Sequence, residues 1–393
     1  MGIFARTWKI RKTSDETIVS SFEPVVLVPV YNEDVNSLKE TLNSILMQTR
    51  VPREVHVVDD GSKEKYEKIK KWFENAAKDS EITVTWTRHD KNQGKRAAHV
   101  TALSNMSKEL KNDAIIITVD SDGVLDKRAI EQGLIPFYDE EIQSVAGVMI
   151  SRNATQNLLT RIMDWTFVTQ ALVDRSTMSV FGNVLVNSGA LAFYRYGVFQ
   201  LAKEVGYTEE YFFGTKVEFS DDSYLTLMAL QLGKAVYQPS AIVFADMPSN
   251  LSHHIRQQIR WSRGSFIRSW WRLRYLDLIS FGWIRQLIGH VMFFATLTIY
   301  LQILIIKPFI TGGSLGLDLC ILGIILSYVQ GMRYFAIKRN DMTVASQFLV
   351  YFLSPVAILW SMTVLKMIKL YSYMTCTNSR WGTRQKVEIV HKK

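Results

Sequence analysis

The sequence is poor in the residues that build disulfide frameworks and metal clusters. Its 393 residues include only two cysteines, Cys320 and Cys376, so neither a cysteine-rich metal cluster nor a disulfide scaffold is expected. Residues 1–12 are basic and contain no apolar core of signal-peptide length, so we expect no secretory signal. There is no internal repeat and no low-complexity segment. These absences favour a body that faces a reducing, cytosolic compartment.

Acidic residues are the minority charge. The chain has 46 Lys and Arg against 37 Asp and Glu, which gives a net charge of +9. A basic excess can indicate nucleic acid, but hydrophobic residues make up 48% and aromatics 12%, which is rich for a nucleic-acid binder. A basic chain with long apolar runs more often faces anionic lipid. We therefore expect a lipid bilayer, and no nucleic acid, among its partners.

Strand-like and helix-like segments alternate through the first third of the chain. Runs of strand length, mostly β-branched, occupy residues 24–30, 54–58, 82–87 and 114–119, with helical patterns between them. This alternation predicts an α/β, Rossmann-like, mostly parallel sheet with helices on both faces. Ligands bind at the carboxyl ends of such strands, so the loops that follow them should meet in one crevice.

Those loops carry residues suited to a nucleotide and a cation. In chain order they are Tyr31 and Glu33, Asp59 and Asp60, Lys95 and Arg96, and Asp120 and Asp122. Two carboxylates one residue apart beyond a strand end can hold a Mg²⁺ or Mn²⁺ that bridges diphosphate oxygens. In isolation each motif also has a plainer interpretation, such as a capped turn at 59–62 or a solvated basic turn at 95–96.

Two later motifs add a base and an aromatic platform. Of the adjacent acids Asp221 and Asp222, one can hold structure while the other takes a proton, although adjacent acids are usually surface residues. Gln257, Arg260 and Trp261 share one face of a helix. A guanidinium binds phosphate in bidentate fashion, and an indole offers a flat surface to a sugar. The alternative is a basic amphipathic helix lying on a membrane.

Long apolar runs dominate the last third of the chain. Residues 287–306, 312–332 and 342–365 are each long enough to cross about 30 Å of hydrocarbon, with buried core helices of a soluble domain as the alternative. An amphipathic helix over 155–182 suits either the core or a bilayer interface. Residues 262–283 are basic and aromatic, which suits an anionic leaflet.

The order of these motifs is more specific than any one of them. Tyr31-Asn32-Glu33 is followed by DDGS (59–62), GKR (94–96), DSD (120–122), SG-x-L-x-x-YR (188–195), DD-x-x-LT (221–226), QxxRW (257–261) and WGTR (381–384). From about residue 25 to its end, the sequence resembles the processive membrane glycosyltransferases of family 2. It is most like the class I hyaluronan synthases, with chitin-oligosaccharide, cellulose and type 3 capsule synthases as relatives.

The resemblance implies a cytosolic GT-A catalytic domain and a role for each motif. Tyr31, Glu33, Asp59, Asp60, Lys95, Arg96, Asp120, Ser188 and Gly189 would line the nucleotide-sugar site, with Asp120 and Asp122 also serving Mg²⁺ or Mn²⁺. Asp222 would be the catalytic base beside Asp221. Gln257, Arg260 and Trp261 would bind diphosphate and the acceptor end, and Trp381 and Arg384 would close over the nucleotide.

The activity so implied is inverting polymerisation of a β-linked polysaccharide from UDP-sugars, with export of the growing chain across the plasma membrane. Hyaluronan, from UDP-GlcNAc and UDP-GlcUA, is the first candidate product. The alternatives are a chitin- or cellulose-like homopolymer or oligosaccharide, a nonprocessive transfer to a lipid carrier, and an inactive export subunit. A nucleotidylyltransferase is disfavoured because no glycine-rich loop follows the first strand.

Three departures from the hyaluronan synthase pattern leave the sugars open. Asn187-Ser188-Gly189-Ala190 stands where Cys-Ser-Gly-Pro is usual, Ser223 where Arg is usual, and Arg263-Gly264 where Lys-Ser is common. The family also usually has transmembrane helices before the catalytic domain. Their absence here predicts a smaller channel, or one completed by a second copy in a homo-oligomer.

The expected organisation has five parts. They are a basic lead-in (1–22), the catalytic domain (23–250), the QxxRW and interface helix (251–283), a transmembrane region (284–371) and a cytosolic tail with WGTR (372–393). Pro355 can break the third apolar stretch. A full crossing there would export a strongly basic tail against the positive-inside tendency. We therefore expect residues 342–365 to dip in and return.

Overall fold

A computed structural model of the chain describes residues 7–110, 114–302, 317–337 and 339–378. The strands are β1 (Glu23–Val30), β2 (Glu54–Asp59), β3 (Thr83–Arg88), β4 (Ala114–Val119), β5 (Val124–Leu125), β6 (Ile142–Ser151), β7 (Leu191–Arg195), β8 (Tyr211–Phe212), β9 (Thr215–Lys216) and β10 (Lys234–Ala245). The helices of the catalytic part are α1 (Thr13–Ser21), α2 (Val35–Leu46), α3 (Glu67–Lys78), α4 (Lys95–Ser104), α5 (Ala129–Leu134), α6 (Leu158–Gln170), α7 (Ser176–Val180), α8 (Tyr196–Glu204) and α9 (Asp221–Leu232).

The remaining helices follow the last strand in the chain. They are α10 (Leu251–Tyr275), α11 (Phe281–Leu301), α12 (Leu317–Gly331), α13 (Val344–Phe352), α14 (Ser354–Trp360) and α15 (Lys366–Met374). Short 3-10 turns occupy Lys108–Leu110, Ile135–Tyr138 and Met332–Ala336, and π-helical turns occupy Ala171–Arg175 and Ser361–Leu365.

Eight strands form one mixed sheet in the order β3-β2-β1-β4-β7-β6-β10-β5. β1 pairs in parallel with β2 and β4, and β2 with β3, so the predicted α/β sheet is confirmed in this half. β7 departs from the parallel pattern because it runs antiparallel to both β4 and β6. This reversal places the start of β7 beside the end of β4, with Leu191 opposite Val119. The Ser188–Gly189 loop therefore reaches the same edge as Asp120.

The core lies on both faces of this sheet. Side chains alternate along a strand, and in β1 Val25 and Leu27 join one buried cluster while Val26 and Val28 join the other. All four are fully buried. The strands are therefore apolar on both sides, as expected for a sheet covered by helices on each face. Such a sheet holds the loops at its carboxyl edge in fixed positions.

Helix α6 belongs to the core of the catalytic part. Ile162, Trp165 and Val168 are buried in the same cluster as Val25 and Leu27. We expected this amphipathic segment to lie either in the core or in a bilayer interface. This face of α6 lies in the core. The same cluster includes Tyr334 and Val350, so α6 packs with both the sheet and the apolar helices.

The apolar helices do not form three straight spans in the part of the chain that the structure describes. There, no single helix is both long and apolar enough to cross a bilayer. One pair, Val344–Phe352 with Ser354–Met374, has the length and composition together and is bent by 48° at its break. The break falls next to Pro355, which removes a backbone donor and disfavours a continuous helix. Whether residues 342–365 dip in and return stays a prediction.

Candidate active site

Four loops meet at the carboxyl edge of the sheet around Lys95. Its Nζ donates to Asp120 Oδ1 at 2.6 Å and lies 3.3 Å from Asp221 Oδ2. A Cβ built at Gly189 would lie 3.3 Å from the same Nζ and 3.8 Å from Asp120. The structure thus brings the loops at 94–96, 120–122, 188–189 and 220–222 into one crevice. The first two are among the loops that the strand order predicts to meet, whereas the last two are additions from the tertiary structure.

The charge on Lys95 is stabilised by its two carboxylate neighbours. Burial lowers the pKa of Lys95, but the charges of Asp120 and Asp221 outweigh burial and hold this pKa above its ordinary value. The ammonium is therefore retained at neutral pH. This ammonium lies beside Asp120, which is one of the two candidate metal ligands.

The adjacent acids at the start of α9 have opposite protonation behaviour. Burial raises the pKa of Asp221, but Lys95 and His99 outweigh it and bring this pKa down to about 2. For Asp222, burial and the neighbouring Asp221 charge both raise the pKa, to about 6. Two titratable groups whose environments separate their pKa values are the signature of divided roles. Asp221 is suited to holding Lys95, and Asp222 to accepting a proton.

The turn before α9 positions these acids. Ser220 has a left-handed backbone with φ 63° and directly precedes the helix. Thr226 Oγ donates to the carbonyl of Asp222 at 2.7 Å and accepts from the backbone N–H of Asn187 at 3.0 Å. The first turn of α9 is thereby tied to the loop that carries Ser188 and Gly189. Acids in a first helical turn are also favoured by the helix dipole.

Glu33 stabilises the loop that follows β1. Its carboxylate accepts from Ser121 Oγ at 2.8 Å, and Tyr66 Oη donates to its backbone carbonyl at 2.8 Å. Glu33 is only 9% exposed, so it connects the loop to the DSD segment and presents little surface to a ligand. Tyr31, in contrast, is partly exposed at the same edge.

The carboxylate oxygens of Asp59 and Asp60 accept hydrogen bonds from other groups of the protein. Asp60 accepts from the backbone N–H groups of Gln93 and Gly94 at 2.9 and 2.7 Å, and contacts His89 Nδ1 at 2.7 Å. Asp59 accepts from Ser62 N at 2.9 Å and is paired with Arg88. Gly94, at φ 92°, immediately precedes Lys95. Asp60 therefore fixes the turn that positions Lys95 in the crevice.

Arg96 points away from its neighbour Lys95. Its guanidinium donates to Glu210 Oε2 at 2.7 Å and to the carbonyl of Phe219 at 2.9 Å. Arg268 of α10 donates to the same Glu210 oxygen at 2.9 Å. Burial raises the pKa of Glu210, but Arg268 and Arg96 outweigh it and hold this pKa below its usual value. The Arg96–Glu210–Arg268 cluster fixes α10 on α4. Sequence reasoning missed Glu210 because it lies in no motif. It assigned Arg268, with residues 262–283, to an anionic leaflet, whereas the side chain of Arg268 is buried.

The QxxRW residues lie on α10, which packs against the Ser220 turn. Trp261 is 38% exposed, and its indole meets the Phe167 ring at 5.6 Å in a perpendicular arrangement. Gln257 and Arg260 are partly buried. A Cβ on Gly264 would lie 2.8 Å from the Ser220 Cβ, so helix and turn are in direct contact. This contact brings the segment with Trp261 next to the segment with Asp222.

Asp120 and Asp122 are the candidate metal ligands, both partly exposed at the crevice. Within the described residues, no group of three or more His, Cys, Asp or Glu side chains is arranged to hold a metal. A two-carboxylate site fits Mg²⁺ or Mn²⁺ only when substrate phosphates complete the coordination. The donor set therefore fits a cation that arrives with a diphosphate.

Trp381 and Arg384 lie outside the described residues, but the segment that leads to them is held on α10. Arg263 donates to Thr375 Oγ at 2.9 Å and to the carbonyl of Asn378 at 3.1 Å. The chain therefore approaches residue 379 directly beside the helix that carries Trp261.

Comparison with known sequences gives one consistent family. Residues 25–201 match "Glycosyl transferase family 2", and residues 115–364 match "Glycosyl transferase family group 2". The chain is 33% identical over 371 residues to the hyaluronan synthase of Streptococcus pyogenes, covering 94% of this chain and 84% of that protein. It is 29% identical to an N-acetylglucosaminyltransferase of Azorhizobium caulinodans, covering 92% and 87%. These matches confirm the resemblance indicated by the order of the motifs.

Comparison with solved structures supports the fold. A mannosyltransferase from Pyrobaculum calidifontis, solved with GDP-Man and Mn²⁺, aligns with a TM-score of 0.54 at 15% identity, covering 96% of this chain and 92% of that one. At this identity the likeness concerns the fold alone. It assigns the mixed sheet and its surrounding helices to the GT-A type.

Proposed function

Because the chain belongs to glycosyl transferase family 2, we propose that it polymerises a β-linked polysaccharide from UDP-sugars, with hyaluronan from UDP-GlcNAc and UDP-GlcUA as the first candidate product. The similarity to a hyaluronan synthase over most of both chains supports this product. The observation that carries the chemistry is the placement of the adjacent acids Asp221 and Asp222 at the start of α9, with Asp221 3.3 Å from the ammonium of Lys95. It provides a base and a phosphate-neutralising cation in one crevice.

The proposed reaction is a single displacement. Asp222 accepts the proton of the acceptor hydroxyl as that oxygen forms a bond to the anomeric carbon of the donor sugar. The bond from that carbon to UDP breaks at the same time, and UDP leaves with the electron pair. Attack from the face opposite UDP inverts the anomeric centre. Lys95 and Arg260 would stabilise the charge that develops on the diphosphate.

Asp120 and Asp122 would hold a Mg²⁺ or Mn²⁺ together with the diphosphate oxygens. The bound cation neutralises negative charge on the leaving diphosphate. Without the substrate, Asp120 is already paired with Lys95 at 2.6 Å. In this proposal the Lys95 ammonium would therefore lie beside the diphosphate that Asp120 helps to bind.

We place the protein in the plasma membrane, with the catalytic part cytosolic, where UDP-sugars are available. Large apolar side chains on the helices after α10 are more than half exposed, including Val291 at 58%, Val329 at 59% and Leu359 at 63%. Exposed apolar surface of this extent indicates contact with another apolar phase. The growing polysaccharide would leave between these helices, with a second copy completing the pore. The tail with Trp381 and Arg384 would remain cytosolic and close over the nucleotide.

The product is tested with purified protein in detergent, supplied with radiolabelled UDP-sugars singly and in pairs with Mg²⁺. Linkage-specific hydrolases then digest the product. The proposal predicts long polymer only with UDP-GlcNAc and UDP-GlcUA together, degraded by a hyaluronan-specific hydrolase. Polymer from UDP-GlcNAc alone would replace hyaluronan by a chitin-like product. That second candidate is supported by the likeness to an N-acetylglucosaminyltransferase and by the departures at Asn187, Ser223 and Gly264.

A further inference from the structure

We propose that Phe167 is an acceptor-positioning residue that fixes the indole of Trp261 for stacking against the end of the growing chain. This inference rests on the polymerising function proposed above. The Phe167 ring centre lies 5.6 Å from that of Trp261, with the two planes at 86°. Edge-to-face pairs of this kind favour one mutual orientation. Phe167 therefore limits the rotation of a side chain that is itself 38% exposed.

The helix that carries Phe167 is fixed by a buried ionic cluster. Asp164 Oδ2 accepts from Arg339 Nη1 at 2.8 Å and from Tyr334 Oη at 2.5 Å, while its other oxygen accepts from Ser151 N at 3.1 Å. Asp164, Tyr334 and the side chain of Arg339 are fully buried. A carboxylate bound in this way cannot shift without leaving a buried charge uncompensated, which is costly.

This cluster lies one helical turn from the aromatic contact. Asp164 and Phe167 are three residues apart on α6, so they are neighbours along its surface. The cluster joins α6 to β6 through Ser151, and to the segment between α12 and α13 through Tyr334 and Arg339. Helix α6 is consequently held by both β6 and the segment between α12 and α13, and the Phe167 ring on this helix lies against the indole of Trp261.

A structural role alone would not need this arrangement. Buried neighbours on α6, such as Trp165 and Val168, already fill the core, whereas Phe167 is partly exposed and meets an indole that is partly exposed as well. The pair is therefore accessible, and its indole lies on the helix whose Gly264 packs on the Ser220 turn before Asp222. An aromatic wall beside an indole suits a carbohydrate, which presents an apolar face to one ring and its edge to another.

The test uses the full-length protein in detergent or nanodiscs with the donor sugars that the unmodified protein incorporates. Phe167→Leu keeps an apolar side chain but removes the ring. Phe167→Tyr restores the ring. Phe181→Leu is the matched control, because Phe181 stacks on Phe281 at 4.1 Å in a ring pair without Trp261. The measurements are the initial rate against the concentration of added oligosaccharide acceptor, the length of the products, and the affinity for UDP.

We expect Phe167→Leu to raise the acceptor KM about 2- to 10-fold, the range of one aromatic pair, and to shorten the products. The kcat at saturating acceptor and the affinity for UDP should stay within about 2-fold of the unmodified protein. Phe167→Tyr and Phe181→Leu should behave as the unmodified protein. In a Trp261→Leu background, Phe167→Leu should cause no further rise in the acceptor KM, because Phe167 acts by orienting the indole of Trp261.

Two results would overturn the inference. One is an unchanged acceptor KM and product length in Phe167→Leu. The other is a parallel loss of UDP affinity, kcat and thermal stability, which marks a structural role. If Phe167→Leu does not fold, the same measurements are made on Phe167→Met, since Met retains apolar volume without a ring. Failure of the proposed function itself is recognised separately, because the unmodified protein would then make no polymer.

Discussion

Gly264 of α10 packs directly on Ser220, the residue that precedes the two acids of α9. A Cβ on Gly264 would lie 2.8 Å from the Ser220 Cβ and 3.1 Å from its hydroxyl oxygen. Ser220 occupies the left-handed region at φ 63°, which costs free energy for any residue with a Cβ. The missing side chain of one residue therefore makes room for the side chain of the other.

Gly264→Ala should destabilise the protein by about 1–3 kcal/mol, the usual cost of overpacking, and lower turnover by displacing Asp222. Ser220→Gly removes the opposing Cβ and suits the left-handed backbone, so the double variant should recover most of the loss. Thermal unfolding and turnover of both single variants and the double variant measure the coupling. Additive effects would show that the two residues do not compete for space.

The pH dependence of turnover should follow Asp222. A base must be unprotonated, and burial together with the Asp221 charge raises the pKa of Asp222 to about 6. Turnover should therefore be level above pH 7 and fall about tenfold per pH unit well below 6. A profile that remains level down to pH 4.5 would contradict the raised pKa of Asp222.

The same pKa shift has a consequence for stability. The folded state holds a proton on Asp222 more tightly than the unfolded chain does, so this residue stabilises the fold at low pH. That contribution is lost as pH rises through about 6. Asp222→Asn should consequently be as stable as the unmodified protein, or more stable, at pH 7.5. Thermal unfolding at pH 5 and pH 7.5 measures this, and destabilisation confined to pH 7.5 would contradict it.

Much of this site follows from the sequence, because strand ends and short motifs are local. The convergence of the loops at Asp59, Lys95 and Asp120 is implied by a parallel sheet. The position of the Arg96 side chain is not implied by the sequence, since the adjacent Lys95 and Arg96 point in different directions at the start of α4. Its partner Glu210 is 114 residues away. Such pairings depend on tertiary packing that no spacing encodes.

The reversed strand is a second feature beyond sequence reasoning. The sequence analysis predicts a strand at β4 but none at residues 191–195, where the structure has β7. The antiparallel pairing of Leu191 with Val119 is a tertiary arrangement that no local pattern specifies. This pairing sets Gly189 beside Lys95, so the site depends on it.

Asp60 should act on donor affinity through Lys95. Asp60→Asn weakens the charge-assisted bonds to Gln93 and Gly94, each worth about 1.5–3 kcal/mol, and frees the turn before Lys95. We expect the KM for the UDP-sugar to rise about tenfold or more. Asp90→Asn, at an exposed position, is the control and should have little effect. Equal effects of both variants on this KM would show that the loss of a negative charge, and not the loosened turn before Lys95, is the cause.

Removal of divalent cations should abolish turnover and leave the fold intact. Asp120 is already neutralised by Lys95 at 2.6 Å, so the fold does not depend on a cation there. A chelator should reduce product formation to background, and Mg²⁺ or Mn²⁺ should restore it. Thermal unfolding without substrate should be unchanged by the chelator. Undiminished turnover in the chelator would remove the metal role given to Asp120 and Asp122.

The central claim is that one crevice, with Asp222 as its base, builds the polymer. The most direct measurement compares the unmodified protein with Asp222→Asn for UDP affinity, UDP release and product length under the same donor conditions. The account predicts polymer from the unmodified protein. It predicts that Asp222→Asn binds UDP normally but turns over about 10²- to 10⁴-fold more slowly. Near-normal polymer synthesis by Asp222→Asn would contradict it.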